Sequence, residues 1–393
     1  MTAHAKLSAS GSKKWLTCTP SAALEDQFPD ERSEYAEEGT FAHHLGEHRL
    51  QKKLKLPLDY KKPELIPGYD KWYTQDLSDH VDTYVGIVMD RVKLAKAECP
   101  DALVLLEQRL DFSEWVPEGF GTGDVVIVAD GFIEVIDLKF GKGVVVEAKD
   151  NTQMKLYGAG AYNEYAHLYE IDEIRMTICQ PRVNNHDTDT ISTLQLLGWA
   201  DGYVLPKATE AWTYLESEDL PNVSDFVPGP HCSEGFCRAR FTCRARAEQN
   251  LKMAQYEFTP APLLSVEEVG QILQTAGQLQ KWAGEVQDWA REQAEQHHVK
   301  IPGWKLVEGR SNRAIADFDF AVKMLNQNGY SDAIIYKPRQ LLGISELEKV
   351  LGKKEFAAVL GDVIVKPQGK PVLVPDTDKR PELDSPTTDF QPV

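Results

Sequence analysis

The sequence predicts an α/β fold, a central mixed sheet flanked by helices and followed by a helical C-terminal region. Three observations point there. From residue 76 the elements run helix, three strands, helix, strand. The hairpin strands around Asp130-Gly131 are apolar on both faces, as central strands are. Residues 265–297 are helical by pattern and composition.

Residues 1–32 open Ser-rich and lead to Cys18-Thr-Pro20, where Pro20 is suited to begin a short helix. Residues 33–54 read as a helix. Residues 76–97 read as another, with Val81, Tyr84, Val85, Val88 and Val92 near helical spacing. Val104 to Leu110 reads as a strand. Asp130-Gly131 between apolar runs is a hairpin signal. After Gly141-Lys142-Gly143, residues 144–146 continue extended. Residues 151–168 read as a helix with Asp150 as N-cap. Residues 175–179 form a strand, 190–197 another, and 198–217 a helix. Val227-Pro-Gly-Pro-His231 marks a loop, and a helix begins near Arg244. Thr259-Pro-Ala-Pro262 is the linker. The chain thus divides into 1–258, a mainly helical 259–373, and a polar tail, 374–393, predicted to be disordered.

With 393 residues, 42% of them hydrophobic, the chain can bury a sizeable core in two or three domains. No apolar run reaches the roughly 18 residues of a membrane span. The N-terminus lacks the apolar core of a secretory signal, so the cytoplasm is expected. The net charge of −18 argues against a protein that coats nucleic acid, but leaves room for an enzyme with a local basic channel.

Four constellations carry chemistry. If Asp130-Gly131 is the turn, Ala129 faces Phe132, and outward pairing sets Asp124 opposite Asp137, their Cβ atoms roughly 5 Å apart. Lys139 then shares their face. Like charges so placed destabilise a sheet, and a divalent cation would remove that cost. The alternative is an exposed hairpin with outward charges. Gln153 and Tyr157 share a helix face at i, i+4. On the first long helix, His43 is a candidate ligand beside the aspartates. His44-Leu-Gly-Glu47-His48 also fits the H-x-x-E-H spacing of a zinc protease, and a solvated helix face is the plainer reading. Finally, Cys18 with Cys232, Cys237 and Cys243 suits an iron–sulfur cluster or a structural zinc. Arg238 and Arg240, interleaved with the late cysteines, suit phosphate contact or charge balance for an anionic cluster.

Over roughly residues 8–250 these motifs resemble the RecB-like branch of the PD-(D/E)XK nucleases, a restriction-endonuclease-like fold. They resemble the members that carry an iron–sulfur cluster, and a phage-encoded group with the same core. Gly39-Thr40-x-x-His43, Gly121-Thr-Gly-Asp124, Val135-Ile-Asp137-Leu-Lys139 and Gln153-x3-Tyr157 occur in family order. The resemblance implies that His43, Asp124 and Asp137 bind Mg2+ or Mn2+ and that Lys139 assists the attacking water. It implies DNA contact by Gln153 and Tyr157, and offers Glu107 as a further acidic strand residue. It implies a [4Fe–4S] cluster on the four cysteines, although the C-x4-C spacing departs from the usual C-x2-C and puts His231 within reach as a substitute. The implied activity is exonuclease action on single-stranded or frayed DNA ends in phage or prokaryotic replication or recombination, with a single-strand-binding or recombination protein as a partner. The rivals are the zinc protease and a non-cleaving DNA-end-binding recombination partner.

Overall fold

A computed structural model describes residues 5–29, 34–143, 145–254, 266–307 and 318–327, with 344, 352, 356 and 359–360. Helices α1 (Ser12–Thr17), α2 (Ser21–Glu25), α3 (Glu34–Leu54), α4 (Tyr69–Trp72) and α5 (Gln75–Glu98) precede strands β1 (Leu103–Asp111), β2 (Phe120–Ala129) and β3 (Gly131–Leu138). Helix α6 (Thr152–Tyr165) crosses to β4 (Ile171–Gln180), and β5 (Asn185–Ser192) follows. Then come α7 (Thr193–Trp199), α8 (Leu205–Glu216), α9 (His231–Glu234), α10 (Arg244–Ala254), α11 (Val266–Gln296) and α12 (Phe318–Gln327).

The five strands lie in the order β1-β2-β3-β4-β5, with β3 and β4 parallel and the other pairs antiparallel. The register of β2 on β3 is the predicted one, from Ala129↔Phe132 to Val125↔Ile136. Gly131 takes the left-handed φ of +94° that favours glycine at the turn. Both faces of the hairpin are covered. Val126, Val128, Ile133 and Val135 pack with α1, α6, α7 and α8. Val125, Ile127, Ile136 and Leu138 pack with α3 and α5. That sandwich is why the two strands read as apolar runs rather than alternating ones. Edge strand β5 is instead polar and half-exposed, Asn-His-Asp-Thr-Asp-Thr, which blunts its open hydrogen-bonding edge.

Several expected boundaries move for local reasons. Asn151, not Asp150, caps α6 by accepting from the Met154 N–H (3.2 Å). Asp150 is left-handed (φ +55°) and pairs with Lys155 instead. The expected strand 190–197 stops at Ser192, where a capping box with Gln195 starts α7. Between α7 and α8 the helix widens into a π turn, Ala200–Val204, just ahead of Pro206, which cannot donate to the helical ladder. Of the expected extension at 144–146, residues 145–146 form no strand and residue 144 lies outside the described residues. Val146 is instead strapped to the end of β4 by Gln180 and to β5 by Asn185.

Two compact units are distinguished, Met1–Ala290 and Arg291–Val393. The linker 259–262, the expected boundary at 258/259 and the tail 374–393 lie outside the described residues. Among the described residues no helix is long and apolar enough to cross a membrane.

The buried Glu134 of β3 ties the sheet to α5. It accepts from Arg91 Nε (2.6 Å) and Nη2 (3.0 Å) and from Thr177 Oγ1 (2.7 Å). Glu134→Ala strands a largely buried guanidinium and should lower unfolding stability by about 3 kcal/mol in urea titrations. An unchanged midpoint would show the pair contributes nothing.

Candidate metal centre

Three carboxylates cross three adjacent strands in one row. Asp124 and Asp137 are the next positions outward from the pair Val125↔Ile136. On β1, Leu106↔Val125 and Gln108↔Gly123 flank Glu107 and set it opposite Asp124. Glu107 has φ +46° in mid-strand. That left-handed backbone costs a non-glycine residue about 1–2 kcal/mol, and such strain clusters at functional sites.

Helix α3 brings His43 to this row. Phe41, Ala42 and Leu45 bury one stripe of α3 against the sheet, which turns His43 toward the strand ends. Its Nδ1 lies 3.0 Å from Asp124 Oδ1, while Asp124 Oδ2 accepts from the Leu138 N–H at 2.6 Å. Ligand atoms of His43, Glu107 and Asp124 all lie within 4.8 Å of one another. An imidazole with two carboxylates is a donor set for a divalent cation such as Mn2+ or Mg2+.

Asp137 stands beside this triad, paired with a base. Its Oδ2 is ion-paired with Lys139 Nζ at 2.9 Å, and its Oδ1 accepts from Gln153 Nε2 at 3.0 Å. Gln153 also accepts from Lys139 Nζ (2.8 Å) and donates to the Tyr157 hydroxyl (3.3 Å). Asp137, Lys139, Gln153 and Tyr157 therefore form one connected chain. Gly121 leaves room for it, since a Cβ there would sit 2.5 Å from Tyr157 Cε1.

The charges are tuned accordingly. Glu107 is reached by solvent, but the surrounding protein and then the Asp124 charge push its pKa up to about 8. Burial opposes a charged His43, yet the Asp124 carboxylate prevails and lifts it to about 9. Burial pushes Asp124 up, but the facing His43 and the Leu138 N–H hold it below the usual carboxylate range. Burial raises Asp137, only partly countered by Lys139. Two neighbours lie outside the sequence-derived site: the buried Tyr84 of α5, and Glu47, one turn along α3 from His43. Tyr84 carried only a core-helix signal, because a phenol inside an apolar stripe reads as packing.

A family model described as "Protein of unknown function (DUF2800)" matches residues 4–381. The chain belongs to DUF2800.

In this DUF2800 protein the zinc-protease residues do not converge. His44 Nδ1 is 3.9 Å from Glu47 Oε2, and His48 is buried with its Nδ1 unbonded. Among the described residues no third ligand gathers with them. Cys18, Cys232, Cys237 and Cys243 do line one cavity. No three of their sulfurs come within 4.8 Å, whereas tetrahedral zinc would hold them about 3.8 Å apart. They form no closed four-thiol site. Burial raises the Cys18 thiol to about 11 and Cys237 to about 12. The cysteine segment is fastened to the N-terminus: Glu25 accepts from the Arg238 N–H (2.7 Å) and from Lys14 Nζ (2.8 Å). Arg238 Nη1 donates to Phe28 O and Arg240 Nη1 to Cys237 O, so both side chains brace this loop. Cys99 and Cys179 sit apart from it, at the end of α5 and buried in β4.

Because Glu107 and His43 hold protons near neutrality, a cation entering this triad must displace them. Mn2+ affinity should rise from pH 7 to 9, up to about tenfold per pH unit for each proton released. Calorimetry in buffers of different ionisation enthalpy reads this directly. A flat profile with no proton release would remove these two groups from the ligand set.

Proposed function

We propose that this chain is a divalent-metal-dependent DNA nuclease of the PD-(D/E)XK type. The observation that carries the reading is the meeting of His43, Glu107 and Asp124 at the strand ends beside the Asp137–Lys139 pair. The mixed five-strand sheet with its crossover helix α6 is compatible with that fold.

The donor set fits a hard cation: two carboxylates and one imidazole, with the Asp137 carboxylate adjacent. A cation held there would supply positive charge to a scissile phosphate and lower the pKa of a water. The chain's own groups do the rest. Lys139 stands between Asp137 and Gln153, where its ammonium can orient a water and offset charge developing on phosphate. Asp137, held above its usual pKa by burial, is suited to accept a proton. Gln153 fixes both Lys139 and Asp137, and the Tyr157 hydroxyl at its far side offers a polar contact for a nucleic-acid strand.

We further propose that the cysteine cavity holds an iron–sulfur cluster with a structural role, on Cys18, Cys232, Cys237 and Cys243. Thiols spread wider than one zinc ion requires, around a shared cavity that joins two distant stretches of chain, suit a larger thiolate-held group. Substrate is expected as single-stranded or frayed DNA, with Arg238 and Arg240 near its path.

Asp137→Asn and Lys139→Ala should each reduce Mn2+-dependent cleavage of end-labelled DNA by at least about a hundredfold while the melting temperature stays near wild type. Full activity in both variants, or DNA binding with no cleavage by the wild-type chain in Mn2+, overturns the reading.

A further inference from the structure

The wall of the cysteine cavity contains a group that the proposed cluster has not yet used. Ser21 lines the cavity, is 5% exposed, and its Oγ has no hydrogen-bond partner. Buried hydroxyls are nearly always bonded, so an orphan in a cavity points to something that completes it. The neighbouring donors are committed elsewhere. Lys14 Nζ donates to Glu25 Oε1 (2.8 Å), and Arg240 Nη1 donates to Cys237 O (3.0 Å). The Val227 N–H points at Cys18 Sγ (3.4 Å).

Ser21 is also firmly placed. Its own N–H donates to Cys18 O at 2.9 Å, which closes the turn from the first cysteine into α2. That turn carries the hydroxyl into the same cavity as the Cys18 thiol. A hydroxyl there shares the cavity with the four thiols.

We propose that Ser21 donates a hydrogen bond to a sulfur of the iron–sulfur cluster held in this cavity, either a cysteine thiolate or an inorganic sulfide. Ser21 is then a positioning residue: it binds no iron, but steadies the negative charge on the cluster. Hydrogen bonds to cluster sulfurs favour the more negative, reduced state and strengthen the hold on the cluster. This inference rests on the iron–sulfur reading above and adds to it a residue outside the cysteine pattern.

The full chain, with Ser21→Ala and Ser21→Thr, is reconstituted anaerobically with ferrous iron and sulfide. Iron and sulfide content, visible absorption, the midpoint in a dithionite titration, and the rate of loss to a chelator are then read. Wild type and both variants should load equal iron. Ser21→Ala should show a more negative midpoint and roughly tenfold faster loss, the scale of one hydrogen bond to a charged acceptor. Ser21→Thr, which keeps the hydroxyl, should restore both. Failure of Ser21→Ala to load while Ser21→Thr loads, with equal melting temperatures for the metal-free proteins, also supports the inference. Equal midpoints and equal loss rates for wild type and Ser21→Ala overturn it and leave the cluster standing. A wild-type chain that takes up neither iron nor sulfide overturns the cluster reading and this inference together.

Discussion

Glu107, Asp124 and Asp137 face one another across three neighbouring strands, and their mutual repulsion is the constraint on which the rest of the architecture depends. Carboxylates opposite each other on a sheet destabilise it, and more so when burial strips away water. Asp124 and Asp137 are held by groups from elsewhere. Helix α3 supplies His43 to Asp124, and the end of β3 supplies the Leu138 N–H to Asp124 and Lys139 to Asp137. Helix α6 supplies Gln153 to Asp137. Even so, Glu107 is pushed up to about 8 and burial raises Asp137 from its ordinary value, which marks the compensation as incomplete. A site left short of positive charge in this way is a candidate for holding a cation.

The two helical layers hold that row in place. On one face α3 and α5 bury Phe41, Leu45, Val81 and Val88 against β2 and β3, and so set the approach of His43. On the other, α6 buries Met154 and Leu156, which presents Gln153 and Tyr157 on the strand-end side. The loop from Lys139 to α6 is steadied by side chains of the outer strands. Gln180 accepts from the Val146 N–H and Asp187 from the Ala148 N–H. The N-terminal helices and the late cysteine segment interlock through Glu25. Residues at the two ends of the sequence-distant core therefore depend on each other's position.

Much of this was legible in the chain because it is local. The Asp-Gly turn dictates the β2–β3 register, and period two then dictates which residues share a face. The stripe of Val81, Tyr84, Val85, Val88 and Val92 announces α5, and all five are buried. Errors arose where two local signals compete. Asp150 and Asn151 are both good caps, and backbone conformation chooses Asn151. Residues 190–197 read as a strand, yet the Ser192–Gln195 box turns the segment helical. The arginines near the cysteines are equally ambiguous in sequence, and folding engages Arg238 and Arg240 with backbone carbonyls.

By itself the sequence determined the α/β class and the hairpin register, and it singled out the candidate site residues. Each of those follows from neighbours within a few residues, where turn geometry and periodicity act. The meeting of His43 and Glu107 at Asp124, the chain from Asp137 through Lys139 and Gln153 to Tyr157, and the orphaned hydroxyl of Ser21 were decided only by tertiary structure. Those groups come from elements whose approach is set by burial of apolar faces, a force without direction that no local spacing encodes.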